Sequence, residues 1–124
     1  MKDKIYQKVM GEVIAFEFDE EVTRVFPDMI ERSVPGYQAT LSAAGALAHR
    51  LSISGTRIYE LGCSRGAALL SMDRAIPKEV DVTLIGVDQS QSMLSACRAD
   101  LIDSGLLNHP LNLIVHQVAP AVAA

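Results

Sequence analysis

Between residues 57 and 115, three short apolar segments alternate with two helical segments. Residues 57–61, 82–87 and 111–115 are predicted to form strands. The second of them, Val-Thr-Leu-Ile-Gly-Val, is almost continuously apolar, as is typical of parallel strands that are covered on both faces. Because parallel neighbours need crossover connections, the intervening helices predict right-handed β-α-β units and a parallel sheet. The chain should therefore adopt an α/β fold.

The two helical segments between the strands carry start and stop signals. The first is predicted over residues 65–75 and should end before Pro77. The second begins at Ser90, a good N-cap residue, and Gly105 follows it as a C-cap. Its apolar row consists of Met93, Cys97 and Leu101. These signals give the order β-α-β-α-β.

Two further helices are predicted ahead of the sheet. The first begins at Asp19, and its apolar residues recur at helical spacing: Val22, Val25, Phe26, Met29 and Ile30. Pro27 should kink this helix or restart it. A turn at residues 33–37 (Ser-Val-Pro-Gly-Tyr) precedes the second helix, over residues 38–51. Its common face consists of Leu41, Ala44, Ala48 and Leu51. Residues 1–18 show no clear pattern.

Composition narrows the class of protein. The 124 residues are enough for one domain, and 49% hydrophobic content with 21% charged residues predicts a packed core. A net charge of -4 disfavours direct nucleic-acid binding, because phosphate backbones attract cationic surfaces. Neither a signal peptide nor a membrane span is expected, so we predict a cytoplasmic protein without a Cys63–Cys97 disulfide. The three histidines lack metal-ligand spacing, and no metal site is expected.

A glycine-containing turn follows the first predicted strand. Residues 60–66 read Glu-Leu-Gly-Cys-Ser-Arg-Gly, and the two glycines let a ligand approach the backbone closely. Asp88 ends the second strand, 26 residues after Gly62. Ligands of open α/β sheets bind at the carboxyl ends of the strands, where a carboxylate can accept both hydroxyls of a ribose. The pattern therefore predicts a nucleoside ligand.

Two kinds of nucleoside ligand compete for this turn. A dinucleotide fingerprint has the spacing Gly-x-Gly-x-x-Gly, whereas Ser64 stands where the second glycine would admit a pyrophosphate. S-adenosylmethionine (SAM) carries no phosphate, so the sequence favours SAM over NAD or FAD. Simpler interpretations remain open: Gly62 and Gly66 could serve a tight turn and helix–sheet packing, and Asp88 could cap the helix near Ser90.

Other residues near the turn receive structural interpretations. Cys63 is expected to be a small buried hydrophobe rather than a nucleophile. Arg65 is expected to be a solvated residue at a helix start. The side chains of Tyr59 and Phe26 are expected to lie in the core.

Four segments of the sequence resemble one enzyme family. They are Val-Phe-Pro-Asp-Met-Ile (25–30), Arg-Ser-Val-Pro-Gly-Tyr (32–37), Tyr-Glu-Leu-Gly-Cys-Ser (59–64) and Val-Asp-Gln-Ser (87–90). From about residue 18 to residue 115, the chain resembles the carboxy-S-adenosyl-L-methionine (carboxy-SAM) synthases. The last two segments are shared by many methyltransferases, whereas the first two are more distinctive.

The resemblance implies a Rossmann-like class I SAM-dependent methyltransferase fold, of which this chain would form the N-terminal half. It also implies a homodimeric enzyme that converts SAM and prephenate into carboxy-SAM and phenylpyruvate. The SAM methyl group would lose a proton to give an ylide, which captures the carbon dioxide released from prephenate. The sulfonium stabilises the adjacent carbanion, so the protein mainly orients the reactants. A partner enzyme would then use carboxy-SAM to modify the wobble uridine of tRNA.

The resemblance also places six residues in the ligand site: Tyr37, Gly62, Cys63, Ser64, Asp88 and Gln89. The three consecutive loop residues would line the methionine part, and the last two would hold the ribose and adenosine side. Glu60 stands where the family more often has aspartate. An acidic Gly-Asp pair expected after the third strand is replaced by His-Gln-Val at residues 116–118.

Family members are considerably longer than this chain, and their second half supplies further strands and a carboxylate-binding arginine. We therefore divide the chain into a helical arm that covers the pocket (1–37), a partial SAM-binding domain (38–118) and an irregular tail (119–124). The first strand should have an open edge beside apolar surface. Two hypotheses follow: a carboxy-SAM synthase-like chain that is inactive by itself, or a non-catalytic fragment for SAM binding or dimer interaction. A methyltransferase that acts directly on tRNA is a weaker third choice, because the chain is acidic.

Overall fold

The computed structural model describes residues 19–117, so the predictions for residues 1–18 and 118–124 lie outside the described residues. Two helices precede the sheet: α1 (Glu20–Ser33) and α2 (Tyr37–Leu51). The remaining elements are β1 (Thr56–Leu61), α3 (Ala67–Ala75), β2 (Val82–Asp88), α4 (Gln91–Cys97) with a π-helical continuation (Arg98–Asp103), and β3 (Leu111–Val115).

The three strands form one parallel sheet in the order β1-β2-β3. Ile58 of β1 lies opposite Leu84 of β2, and Gly86 of β2 lies opposite Leu113 of β3. The carboxyl ends of β1 and β2 therefore lie side by side, which places the following turns together. The predicted α/β fold, with two helices followed by β-α-β-α-β, is confirmed.

The core lies between this sheet and the helices packed on it. The largest fully buried apolar side chains come from α3, β2 and α4 and from the residue after α3: Leu69, Ile76, Leu84, Met93, Val82 and Cys97. The predicted apolar row of α4 is confirmed, since its three members are at most 4% exposed. Ser90 caps α4 as predicted, because its side chain accepts a hydrogen bond from the Met93 N–H at 3.2 Å.

Two features of the helices differ from the sequence predictions, besides shifts of one residue at the ends of other elements. The helix α1 continues through Pro27, so the predicted restart there is wrong. The helix α3 begins at Ala67, two residues later than predicted, because Ser64 and Gly66 have φ angles of 51° and 89°. Those left-handed conformations belong to a turn and exclude a right-handed helix before residue 67.

One side of β1 is open within the described part of the chain. The strand pairs with β2 on its other side, and a groove runs beside it along the end of α2. The apolar residues exposed here form the β1 edge surface: Leu47, Leu51, Ile53, Tyr59 and Leu61. Tyr59 was expected in the core, but it is 56% exposed. The prediction for Tyr59 fails because no described element covers this side of β1, as expected for its open edge.

A buried polar cluster fixes the loop before β3 to α3. The Asp73 side chain is fully buried, and its Oδ1 accepts hydrogen bonds from the His109 N–H and from His109 Nδ1, both at 2.9 Å. Its Oδ2 accepts from the Asn108 N–H at 3.0 Å. Several donors thus depend on one carboxylate, which makes Asp73 important for the conformation of the loop that precedes β3.

Replacing Asp73 by alanine should lower the free energy of unfolding by ~3–5 kcal/mol, since buried donors would lose their charged acceptor. Urea denaturation followed by circular dichroism would measure the change. Asp103→Ala is the control, because it removes a carboxylate from an exposed position. Equal stability of the two variants would contradict the role given to Asp73.

The β1 edge surface should cause self-association that rises with protein concentration, because unpaired strand edges and apolar patches pair with other chains. The double variant Ile53→Lys/Tyr59→Lys should reduce this association, as measured by sedimentation velocity. Leu106→Lys is the control, since Leu106 is also 50% exposed but lies outside this surface. A similar effect of the control would show that the association does not depend on the β1 edge.

Candidate functional site

The turn after β1 is tied to the end of β2 by its backbone. The N–H groups of Gly62 and Cys63 donate to the Val87 carbonyl at 2.7 and 3.0 Å. Gly62 has a φ of 74°, and a Cβ built on it would meet no atom within 4 Å. Within residues 62–66, the glycine loop, Gly62 therefore presents bare backbone to open space, as a closely approaching ligand requires.

The second glycine of the loop has a different role. A Cβ on Gly66 would lie 2.7 Å from both Cys97 Sγ and Leu101 Cδ1. Its φ of 89° also strains any other residue. Gly66 is thus explained by close packing of the loop against α4, so the simpler interpretation is confirmed for this glycine. Close packing does not account for Gly62, but the φ of 74° at Gly62 fits a tight turn, and a ligand role for this glycine stays a prediction.

The Asp88 carboxylate joins the glycine loop to the start of α4. Its Oδ2 accepts from the Ser64 N–H at 2.8 Å, and its Oδ1 accepts from the Ser90 N–H at 2.9 Å. Asp88 is 9% exposed, and the bond to Ser64 supports the left-handed conformation of that residue. The helix-capping interpretation of Asp88 is therefore confirmed. Each carboxylate oxygen can accept more than one bond, so ribose binding by Asp88 stays a prediction.

A cavity of about 430 Å³ opens over the glycine loop. Its walls come from α1, the start of α2, the end of β1, the loop and the start of α3. Four of the six predicted site residues line it: Tyr37, Gly62, Cys63 and Ser64. Asp88 lies behind the loop, bonded to it, and the exposed Gln89 does not line the cavity. The size is within the usual range for small-molecule sites.

Glu60 supplies a half-buried acid to the lining of this cavity, and its Oε2 atom is buried. Its Oε2 finds no hydrogen-bond partner among residues 19–117. Burial, followed by the charge of Asp88, raises the pKa of Glu60 to about 7. Burial also raises the pKa of Tyr37, with smaller contributions from Glu60 and Glu31, so its hydroxyl keeps its proton. Glu60 therefore offers the cavity an acceptor suited to a cation, and Tyr37 offers it a hydroxyl donor.

The two thiols near the loop are free and buried. Burial raises the pKa of Cys63 to about 12 and that of Cys97 to about 11. A thiol rather than a thiolate is a poor nucleophile, so the structure supports the interpretation of Cys63 as a small hydrophobe. Within residues 19–117, no group of three or more His, Cys, Asp or Glu side chains is placed to hold a metal ion. No helix in this part of the chain is long and apolar enough to cross a membrane.

Arg65 corrects one interpretation of the sequence. It was expected to be a solvated residue, but it donates to the carbonyl of Thr23 at 3.2 Å and to the Asp100 carboxylate at 2.7 Å. Its side chain is 26% exposed. Both partners lie more than 30 residues away in sequence, so no local pattern indicates them.

The cavity residues of α1 were also not predicted individually. Phe26, Pro27, Ile30 and Glu31 form one wall, and Phe26 is partly buried against a small cluster around Met93. The helical spacing of the apolar residues indicated a buried face. It did not indicate that part of this face borders a cavity.

No protein-family model matches the chain. Among curated proteins, the carboxy-S-adenosyl-L-methionine synthase of Actinobacillus pleuropneumoniae serotype 5b (strain L20) is 47% identical over 100 residues, which are 81% of this chain and 41% of the relative. The protein of that name from Mannheimia succiniciproducens is 50% identical over 97 residues, which are 78% of this chain and 40% of the relative. The chain thus spans about two fifths of the length of these relatives.

A solved structure from Methanococcus maripaludis, described as an S-adenosyl-L-methionine-dependent methyltransferase, matches the fold with a TM-score of 0.59. The match covers 88% of this chain and 48% of the other, at 17% sequence identity, so it bears on the fold alone. It agrees with a partial Rossmann-like methyltransferase fold. Over about 100 residues, the chain is related in sequence to the carboxy-S-adenosyl-L-methionine synthases, as its motifs predicted.

Proposed function

We propose that this chain binds SAM in the cavity over the glycine loop, as the SAM-binding part of a carboxy-SAM synthase. The observation that carries the proposal is the open backbone surface at Gly62, next to a buried acid that has no partner in the described chain. A bare glycine allows the thin methionine chain of SAM to lie against the loop. The relationship to carboxy-SAM synthases supplies the identity of the ligand.

Charge also favours SAM at this position. SAM has an ammonium group and a sulfonium, and Glu60 offers a buried carboxylate whose Oε2 lacks a described partner. Pairing with a cation would favour the ionised form of this carboxylate, which burial alone disfavours. A pyrophosphate would instead bring negative charge close to Glu60 and Asp88, so a dinucleotide fits the loop less well.

We assign the predicted site residues to parts of SAM on this basis. Gly62, Cys63 and Ser64 would line the methionine part, and Tyr37 would close the cavity from the start of α2. Asp88 and Gln89 would reach the ribose and adenosine side. For Asp88 this role adds to the two backbone hydrogen bonds that it already accepts.

The second part of the proposal concerns the reaction. We propose that the complete site converts SAM and prephenate into carboxy-SAM and phenylpyruvate, for a partner enzyme that modifies tRNA. The net charge of -4 argues against a direct contact of this chain with the tRNA. Because the chain spans 41% of its relatives and leaves β1 open, we do not expect catalysis by the 124-residue chain alone.

A non-catalytic SAM-binding or dimer-interaction fragment is the second candidate, and the open β1 edge favours it. Incubation of the purified chain with SAM and prephenate, followed by mass spectrometry for carboxy-SAM, separates the candidates. Binding without turnover supports the fragment. Turnover supports the carboxy-SAM synthase and would show that the 124-residue chain suffices for catalysis.

Adding a methyl group at Gly62 should block SAM binding. Gly62→Ala places a Cβ in the space assigned to the ligand, and we expect at least ~10-fold weaker binding in isothermal titration calorimetry. Gly55→Ala is a matched control, because Gly55 also has a positive φ (88°) and open space around its Cβ position. Both variants carry the same kind of backbone strain. Equal SAM affinities of the two variants would reject the assigned position, and no binding by the unchanged chain would reject SAM as the ligand.

Binding of SAM should become stronger as the pH rises through 7, because Glu60 must lose its proton to pair with the ammonium group. With a pKa of about 7 for the free protein, we expect ~8-fold stronger binding at pH 7.5 than at pH 6. Glu60→Gln should bind SAM more weakly, with little dependence on pH. An unchanged pH profile in Glu60→Gln would show that Glu60 does not contact the cation.

A further inference from the structure

One guanidinium group connects the glycine loop with α1 and with the π-helical segment. The Nη1 of Arg65 donates to the Thr23 carbonyl, 42 residues away in sequence, and its Nη2 donates to Asp100 Oδ2, 35 residues away. The side chain of Asp100 is 51% exposed, so this ion pair alone contributes little. The bond to the helix backbone therefore needs its own explanation.

Pro27 provides that explanation. In an α-helix, the N–H of residue 27 would donate to the carbonyl of residue 23. Proline has no N–H, and Thr23 is only 5% exposed, so water is a poor substitute donor. A buried carbonyl without a donor destabilises the helix. Arg65 supplies the missing donor from outside the helix.

This helix forms a wall of the cavity. Phe26, Pro27, Ile30 and Glu31 of α1 border the space over the glycine loop, and Arg65 belongs to that loop. The apolar side of α1 packs on Met93 of α4, through Val22 and Met29. The Arg65 contact adds a directional bond between the wall and the backbone on which the ligand is proposed to rest.

We infer that Arg65 is a positioning residue, which holds α1 at the edge of the cavity through the carbonyl group that Pro27 leaves unpaired. The inference rests on the proposed function, because the positioned cavity is the proposed SAM site. Arg65 also lines the cavity, and its guanidinium has five N–H donors, of which the bonds to Thr23 and Asp100 use two. The test must therefore separate an action through α1 from a direct contact with the ligand. Loss of the guanidinium should loosen α1 first, and ligand affinity should fall as a consequence.

Pro27 makes this inference testable by rescue. Arg65→Met keeps the length of the side chain and removes its donors, whereas Pro27→Ala returns an N–H that can pair with the Thr23 carbonyl inside the helix. If Arg65 acts through that carbonyl, Arg65→Met should loosen α1 and weaken SAM binding in the natural chain. The same substitution should have a much smaller effect in the Pro27→Ala variant. A residue that contacts the ligand directly, or the fold in general, would show no such dependence.

Hydrogen–deuterium exchange of the full chain without ligand gives the first readout. Arg65→Met should accelerate exchange in residues 20–33 by ~10-fold or more, while residues 82–88 of β2 keep their protection. The double variant Pro27→Ala/Arg65→Met should return exchange in α1 to within ~3-fold of Pro27→Ala alone. Arg50→Met is the control, because it makes the same chemical change on the exposed end of α2.

The SAM dissociation constant gives the second readout. Arg65→Met should weaken binding by ~3- to 10-fold, and the same change in the Pro27→Ala background should have less than half of that effect on the binding free energy. Equal losses in both backgrounds, or equal acceleration of exchange in α1 and β2, would overturn the positioning role. If the natural chain binds no SAM, the proposed function fails, whereas the exchange experiment still decides whether Arg65 holds α1.

Discussion

The Asp88 carboxylate is the contact on which the site depends. It ends β2 and accepts one backbone N–H from the glycine loop and one from the residue that caps α4. Parallel pairing of β1 with β2 brings the two turns together, and the carboxylate then fixes their relative position. Because Ser64 adopts a left-handed conformation there, the loop needs this support. Ligand contacts, if Asp88 makes them, depend on a group already held in place.

Two walls of the cavity are held in different ways. The glycine loop is held by two N–H groups that donate to β2 and by the packing of Gly66 against α4. The helix α1 is connected to the loop by the Arg65 guanidinium, which donates to a carbonyl of α1. Between them lies Glu60, whose carboxylate is disfavoured by burial until a cation pairs with it. We propose that this arrangement favours a cationic ligand with a narrow chain, and SAM has both properties.

The sequence predicted the parts that depend on local chemistry. The continuous apolar run of β2, the cap at Ser90 and the glycines of the loop follow from chain geometry, and their positions were correct. Burial of Tyr59 depends on what covers β1, which no local pattern records, and that prediction was wrong. The role of Arg65 depends on a carbonyl 42 residues away and on a proline that leaves it unpaired.

Titration of the ¹⁵N-labelled chain with SAM, followed by two-dimensional NMR, tests the central claim most directly. The account predicts that the largest shifts occur at the amides of Gly62, Cys63 and Ser64, with smaller shifts in α1 and at Gln89. The signals of β3 should stay unchanged. Shifts concentrated at the β1 edge surface, or no shifts in a well-folded chain at millimolar SAM, would contradict binding on the glycine loop.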